Sequence, residues 1–248
     1  MNDRVYIHEF VDIRGQNRAN YMHHMTANWG PIGQRERNQL CFGVWGTVGS
    51  TGHWPQVVNM WEEAGWEGLA SSFRHELGHP TLQDPSLAEW WARASGFRRG
   101  GRDRIMVPAP WSPTIGELCA AGARSESYAH ELVSLRPGTA WDLLDRVHDE
   151  ARNAYGRFGL SLVGAWATAM VPDNEVLLVW AIPTWEQWAA FESSQRADGP
   201  IRKWRETLGG FALDWHRILL VDAPLAPLRL GRQPSASDAG SFELPPIR

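Results

Sequence analysis

The chain has almost no lysine: among its 24 basic residues, Lys203 is the only one. Lys203 lies in a charged segment that is predicted to be an exposed helix, so Schiff-base chemistry, which needs a desolvated amine, is nearly excluded. The two cysteines, Cys41 and Cys119, are too few for a disulfide framework or a cysteine-based zinc site. A net charge of −4 without a basic stripe argues against a nucleic-acid partner.

Long apolar runs are missing as well. No segment approaches the roughly 18 apolar residues that a membrane-spanning helix needs. The first four residues, Met-Asn-Asp-Arg, have no apolar run behind them. We therefore predict neither a signal peptide nor a membrane span, and expect a cytoplasmic protein. With 43% hydrophobic and 21% charged residues over 248 positions, the chain can bury the cores of two ordinary domains or of one large domain.

Tryptophan is abundant, with 15 residues. Indole rings are large, flat and apolar, and each carries one hydrogen-bond donor. They can fill two cores and a subunit contact, or several of them can line a pocket for an apolar or aromatic ligand. Composition alone leaves both interpretations open.

The sequence contains an internal duplication. Tyr6–Arg14 (YIHEFVDIR) returns as Tyr128–Arg136 (YAHELVSLR), with Tyr, His, Glu, Val and Arg at the same five places. Flanking segments repeat in the same order, because those around Trp45, Trp61 and Arg104 return around Trp166, Trp180 and Arg217. Two copies of about 110 residues are domain-sized units and not a solenoid.

Each copy is predicted to fold as β-α-β-β-α-β. In the first copy, alternating apolar residues and turn signals predict strands over 4–13, 40–48, 56–61 and 104–107. A helix over 17–29 should stop at Gly30-Pro31, further helices are expected near 66–78 and 84–94, and Gly96 to Gly101 reads as a turn. The expected boundaries are a first repeat over 1–110, a linker over 111–124, a second repeat over 125–224 and a Pro-rich C-terminal arm over 225–248.

This element order is the split βαβ of the ferredoxin-like α+β fold. Helices cover one face of such a sheet, and the other face must be buried elsewhere. We therefore expect two tandem ferredoxin-like repeats that close their uncovered faces on each other as an α/β barrel, leaving a dry chamber between them.

Four features resemble the NIPSNAP family of the dimeric α/β-barrel superfamily. They are the strand-opening Tyr-x-x-x-x-Val at Tyr6, the strands Gly43–Thr47 and Val57–Trp61, and the Asp84-Pro85 pair in the second helix. The resemblance covers roughly residues 4–110 and 126–222, and it implies a ferredoxin-like fold and a homodimer. The superfamily includes cofactor-free monooxygenases, cyclases, isomerases and haem-dependent enzymes, so the fold does not select a reaction. No catalytic residue of the family can be carried over.

Strand alternation places Tyr6 and His8 on one face of the first strand and Glu9 on the other. Ile7, Val11 and Ile13 accompany Glu9, so we expect that face to meet the helices. An inward imidazole beside a tyrosine is suited to general acid/base catalysis, although a structural hydrogen bond explains it equally well. If the faces are reversed, the glutamate takes over the role. The corresponding residues of the second copy are Tyr128, His130 and Glu131.

Four tryptophans occupy matched positions in the two copies and are either core residues or walls of a substrate pocket: Trp45, Trp166, Trp61 and Trp180. His53-Trp54, in a glycine-rich loop, is either a gate to that pocket or a solvated loop.

His75-Glu-Leu-Gly-His79 matches the H-E-x-x-H pattern of zinc proteases. Position 85, where a third histidine would stand in one such family, is Pro85, and Pro80 ends the helix, so we do not expect a protease-like site. A different metal site that uses His75 and His79 with Glu89 or Asp84 is the alternative. His148 is a haem-ligand candidate by analogy, or an exposed helical histidine.

The expected function is a small-molecule enzyme without an organic cofactor. It would be an isomerase, cyclase, lyase or monooxygenase that acts on a hydrophobic or aromatic compound. The alternatives are a haem- or metal-dependent enzyme of the same superfamily, and a non-catalytic ligand-binding or scaffold protein.

Overall fold

The α+β fold predicted from the sequence is confirmed in the computed structural model, which describes residues 1–240. The first repeat has strands β1 (Val5–Ile13), β2 (Leu40–Thr47), β3 (Gln56–Glu63) and β4 (Arg98–Pro108). Its helices are α1 (Arg18–His23), α2 (Gly30–Arg37), α3 (Gly65–Leu77) and α4 (Ala88–Phe97). Within the predicted linker lies a short helix, α5 (Ile115–Ala120), which begins with a capping box made by Thr114 and Glu117.

The second repeat follows the same plan. Its strands are β5 (Ser127–Leu135), β6 (Ser161–Thr168), β7 (Glu175–Ile182) and β8 (Ala212–Asp222). Its helices are α6 (Ala140–Arg146), α7 (Arg152–Gly156), α8 (Trp185–Ser194) and α9 (Gly199–Phe211). Asp198 caps α9 by accepting a hydrogen bond from the Ile201 N–H at 3.1 Å, and Pro200 lies in the first turn, where its missing N–H is tolerated.

The strands are hydrogen-bonded in the order β1-β3-β2-β8-β5-β7-β6-β4, which confirms the predicted closed barrel. β1 and β3 are antiparallel, and Glu9 lies opposite Asn59. In the second repeat, Glu131 lies opposite Leu178 of β7 on one side and opposite Arg217 of β8 on the other. The duplicated glutamates therefore have different strand neighbours.

The chain divides into two compact units that follow the repeats except at the last strand of each. One unit comprises residues 3–104, 114–123 and 222–240, and the other comprises 1–2, 105–113 and 124–221. After β4, the Ala109 N–H donates to the Ala165 carbonyl at 2.9 Å, and after β8 the Ala223 N–H donates to the Val44 carbonyl at 2.8 Å. The predicted repeat boundaries at residues 110 and 224 keep β4 and β8 whole, whereas the two compact units divide each of these strands.

The repeated Gly-x-Trp motif has a packing origin. β2 shifts register between Cys41 and Gly43, and β6 does so between Leu162 and Gly164. A Cβ added at Gly43 would lie 2.0 Å from the Trp45 ring, and one added at Gly164 would lie 2.3 Å from the Trp166 ring. Each glycine is therefore required so that the following indole can lie flat against the strand.

Gly30-Pro31 does not stop the first helix, contrary to the prediction. A π-helical turn, His24–Trp29, joins α1 to α2, and the Gly30 N–H bonds to the Met25 carbonyl. Pro31 then lies in the first turn of α2, where a missing N–H removes no helical hydrogen bond. The helix ends instead at Asn38, which adopts a left-handed conformation. The turn predicted over Gly96 to Gly101 is also wrong, because α4 runs to Phe97 and β4 begins directly after it.

The C-terminal arm packs on the first repeat as far as it is described. A short helix, α10 (Pro227–Leu230), buries Leu228. The Gln233 amide accepts from the Cys41 N–H at 3.0 Å and donates to the Cys41 carbonyl at 2.8 Å, so the arm is hydrogen-bonded to β2. The predicted arm continues over 241–248, which lie outside the described residues. Within residues 1–240, no helix is long and apolar enough to cross a membrane.

Candidate active site

The predicted faces of β1 are confirmed. Val11 and Ile13 pack in one buried cluster with Tyr21, Met25 and other residues of the helices, and Ile7 packs against that cluster. Glu9 therefore lies on the helix-facing side. Tyr6 and His8 lie on the opposite side, where the Tyr6 ring meets Phe42 edge-on at 5.5 Å and the His8 ring meets Phe10 edge-on at 4.9 Å.

Glu9 accepts hydrogen bonds from two neutral donors of β3. Asn59 Nδ2 lies 2.7 Å and Trp61 Nε1 lies 3.0 Å from Glu9 Oε2. Asn59 Nδ2 also donates to the Tyr21 hydroxyl at 2.9 Å, so the acid, amide and phenol are connected. Asn59 is fully buried, and its Oδ1 accepts from no donor within residues 1–240. The cluster thus keeps one buried acceptor for a further group.

Burial raises the pKa of Glu9 above its ordinary value of 4.5, and the negative charge of Asp103 raises it further. The hydrogen bonds from Asn59 and Trp61 and the guanidinium of Arg98 oppose this rise without reversing it. A carboxyl group whose pKa is raised by burial and a neighbouring charge is a candidate for proton transfer. Because Glu9 is only partly buried and Asp103 is exposed, the group lies at the edge of the core.

The equivalent acid of the second repeat is neutralised by a cation. Glu131 is fully buried and forms an ion pair with Arg217, with Nη2 2.7 Å from Oε1. It also accepts from the Tyr155 hydroxyl at 3.2 Å and from Trp180 Nε1 at 3.3 Å. Leu178 stands where the first repeat has an amide. The two equivalent acids therefore differ in their partners: Glu9 accepts from neutral donors, whereas Glu131 is also paired with a guanidinium.

The residues of the opposite face are buried, but each repeat places its imidazole and its acid on different sides of the sheet. His8, Tyr128 and His130 are each about 1% exposed. The Tyr6 hydroxyl donates to Glu62 Oε2 at 3.0 Å, and Glu62 also accepts from the Ile115 N–H at 2.9 Å. For Tyr6, a structural hydrogen bond accounts for its burial. A role of these residues in catalysis stays a prediction.

The four matched tryptophans do not share one face. Trp61 and Trp180 lie on the helix-facing side, where their N–H groups hold the two acids. Trp45 and Trp166 lie against their glycines on the other side, fully buried.

The loop at His53-Trp54 is exposed, and contacts with Arg18 and Asp12 hold it at the protein surface. The Arg18 guanidinium lies 4.4 Å from the centre of the Trp54 ring and donates to the Thr47 carbonyl at 2.9 Å. His53 lies 3.7 Å from an Asp12 oxygen. A gating role for this loop stays a prediction.

The H-E-x-x-H pattern does not form a protease-like site. α3 ends at Leu77, so His79 lies beyond the helix and not one turn along the same face as His75. His75 Nε2 instead lies 3.0 Å from Asp84 Oδ2.

Two imidazoles lie in the π-helical turns His24–Trp29 and Val147–Ala151. His24 does not fit a haem iron, because Nε2 lies 3.2 Å from the Trp90 carbonyl and Nδ1 lies 3.1 Å from Asn28 Nδ2, so both nitrogens are occupied. His148 lines a cavity of about 810 Å³ together with Trp111 and Leu162, and its Nδ1 lies 3.0 Å from Asp149 Oδ1. A haem-ligand role of His148 stays a prediction.

Sequence reasoning missed Tyr21, Asn59, Arg98 and Asp103. The signal for Asn59 was present, because it is the polar residue in the apolar strand Val57-Val-Asn-Met-Trp61, where the second copy has Leu178.

No family model and no curated protein matches the sequence. Solved structures do match. A protein from Lactobacillus acidophilus NCFM named as a candidate monooxygenase is 9% identical, with a TM-score of 0.56 over 89% of this chain and 94% of its own. An anthrone oxidase-like protein is 10% identical, with a TM-score of 0.55 over 89% and 92%. At these identities the likeness concerns the fold alone.

Two further groups are among the structural neighbours. A candidate chlorite dismutase is 11% identical, with a TM-score of 0.52 over 98% of this chain and 100% of its own. A NIPSNAP-like domain protein from Burkholderia xenovorans is 19% identical, with a TM-score of 0.36 over 46% and 92%. Structural neighbours thus include monooxygenase-named proteins, a candidate chlorite dismutase and NIPSNAP domain proteins.

Proposed function

We propose that this chain is a small-molecule enzyme that transfers protons on a hydrophobic or aromatic compound, with Glu9 as its general acid/base. The observation that carries the proposal is the asymmetry between the repeats. Glu9 and Glu131 occupy the same place, yet Glu131 is paired with the Arg217 guanidinium, whereas Glu9 accepts hydrogen bonds from the neutral donors Asn59 and Trp61. A cation in contact with a carboxylate favours its charged form, whereas burial and a like charge disfavour it.

The reaction class is proton transfer at a carbon or oxygen of an apolar ring system. The surrounding core supplies apolar surface through Trp29, Trp61, Trp90 and Trp91. Isomerases, cyclases and lyases need only this transfer, and a cofactor-independent monooxygenase needs O₂ in addition. On an anthrone-type substrate, one C–H proton would pass to Glu9 and the carbanion would add O₂ to form a peroxide anion. Glu9 would return its proton to the peroxide, and loss of the second C–H proton with cleavage of the O–O bond would give the carbonyl and one water. The anthrone oxidase-like and monooxygenase-named neighbours guide this choice of substrate class.

The test measures O₂ consumption and product formation with anthrone and related hydroxylated aromatic compounds. Glu9→Gln preserves the size of the side chain and removes its exchangeable acid proton, so turnover should fall by about 10²–10⁴-fold, the usual contribution of a general acid/base. Circular dichroism should show an unchanged fold. Full activity of Glu9→Gln would refute the assignment.

A second candidate places the same chemistry at His8, which is buried on the opposite face beside Phe10. His8→Ala should then abolish turnover with little change in melting temperature, while Glu9→Gln stays active. If no compound is turned over but aromatic compounds change the tryptophan fluorescence, the chain is a binding protein. A homodimer and a cytoplasmic location stay predictions.

A further inference from the structure

Glu36, His75 and Asp84 meet among the helices of the first repeat. Their potential ligand atoms all lie within 4.8 Å of one another. They come from three separate elements: α2, α3 and the cap of the 3₁₀ turn Pro85–Leu87. We propose that these three side chains bind one divalent transition-metal ion, for which Zn²⁺ is the best match.

Two of the three ligands already stand at the right separation. His75 Nε2 and Asp84 Oδ2 are 3.0 Å apart. In a tetrahedral zinc site with bonds of about 2.0–2.1 Å, neighbouring ligand atoms are about 3.3–3.4 Å apart. The pair therefore has to open by only a few tenths of an ångström for an ion to replace the shared proton.

Asp84 is rigidly held. Its side chain is 8% exposed, and Oδ1 accepts hydrogen bonds from the Ser86 N–H at 2.9 Å and the Ser86 hydroxyl at 2.8 Å. These bonds leave Oδ2 directed at His75. A metal-binding carboxylate is commonly oriented in this way by hydrogen bonds to its second oxygen.

Glu36 supplies the third ligand from the rim of the cluster. Its side chain is 29% exposed and pairs with Arg35, which is 66% exposed, at 2.7 Å. Such a surface ion pair contributes little and is readily exchanged. The nearby guanidinium of Arg37 is paired with Glu76, so its charge is already balanced. Two carboxylates and one neutral imidazole then offset the +2 charge of the ion.

A groove of about 500 Å³ adjoins the cluster, lined by Glu36 and His75 together with Gln34, Arg35, Arg37, Asn38, Gly68, Ser71 and Ser72. Both arginines are paired with glutamates, Arg35 with Glu36 and Arg37 with Glu76. Three protein ligands and an accessible fourth position are the arrangement of an open zinc site. The imidazole favours Zn²⁺ over Mg²⁺ and Ca²⁺, which prefer oxygen ligands throughout.

His79 provides a matched control, because it belongs to the H-E-x-x-H pattern but not to the cluster. The full chain, stripped of metal with a chelator, is titrated with ZnCl₂ by calorimetry, and Co²⁺ binding is followed by visible absorption. We expect one ion per chain. His75→Gln and Asp84→Asn should each weaken binding by more than the roughly 10–100-fold that the loss of an outer partner costs. His79→Gln should bind like the unmodified chain.

Asparagine can still cap the 3₁₀ turn, so Asp84→Asn should keep the fold. Added Zn²⁺ should raise the melting temperature of the unmodified chain and of His79→Gln, but not of His75→Gln. Absence of saturable one-to-one binding would overturn the proposal. So would equal losses in the His75 and His79 variants, or unimpaired binding by His75→Gln.

Discussion

The duplicated glutamates allow a matched pair of substitutions with different expected effects on stability. Glu131→Gln leaves Arg217 without its main partner, although the Arg217 side chain is only 9% exposed. Removing one partner of a buried ion pair costs about 3–5 kcal/mol. Arg217 keeps its bond to Glu192 at 2.8 Å, so we expect the lower value, about 3 kcal/mol. For a chain of this size that is a loss of about 6–12 °C in melting temperature.

Glu9→Gln removes an acid that has no buried cation opposite it. The amide oxygen can still accept from Asn59 and Trp61, so the change at neutral pH should be within about 1 kcal/mol. The pKa of Glu9 is raised in the folded state, which therefore binds more protons than the unfolded state above the ordinary value of 4.5. Stability from this group is present at low pH and is lost as pH rises through the folded pKa. Glu9→Gln should thus gain stability relative to the unmodified chain as pH increases.

Thermal and urea unfolding, followed by circular dichroism, check both expectations between about pH 5 and about pH 8. Comparing each variant with the unmodified chain at the same pH cancels the other titrating groups. The reasoning is refuted if Glu131→Gln costs no more than Glu9→Gln at neutral pH. A stability difference for Glu9→Gln that does not change with pH would also contradict it.

Two further expectations concern packing and burial. Gly43→Ala should destabilise the chain by about 1–3 kcal/mol, because the added Cβ would lie 2.0 Å from the Trp45 ring. Gly209→Ala, in α9, should stabilise it by up to about 1 kcal/mol in the same unfolding assay, because the added Cβ would have no neighbour within 4 Å. Burial lowers the pKa of His24 from its ordinary 6.5 to about 4, so its stabilising contribution is present above pH 6.5 and is lost as pH falls towards 4. NMR titration of the His24 ring checks this, and a ring that titrates near 6.5 would show that it is not buried against Trp90.

Much of the fold could be predicted because its signals are local or repeated. The face of β1 follows from three apolar residues, Ile7, Val11 and Ile13, and the strand order follows from recognising the duplication. The error at Gly30-Pro31 has a physical reason, since a π-helical turn shifts the hydrogen bonds so that proline is harmless there. No local sequence signal predicts this π-helical turn.

The site was harder to predict because its chemistry depends on partners from other strands. Glu9 and Glu131 sit in nonapeptides that share five of their nine residues. Their surroundings differ because Asp103 lies near Glu9 and Arg217 is paired with Glu131. The H-E-x-x-H spacing pairs His75 with His79, whereas the structure pairs it with Asp84, which the sequence offered only as one of two alternatives. A helix boundary and a capping aspartate, not sequence spacing, decide what His75 faces.

Because the sequence is duplicated, Glu131 can serve as a structural ion-pair partner while Glu9 has different, neutral hydrogen-bond partners. Pairing Glu131 with Arg217 satisfies a buried charge and ties β5 to β8 and, through Glu192, to α8. In the first repeat, Glu9 accepts hydrogen bonds from neutral donors, and burial disfavours its ionised form. Proteins usually place such unfavourable groups at functional sites. Residues that the copies share therefore reflect the common fold. Asn59, which they do not share, distinguishes the surroundings of Glu9 from those of Glu131.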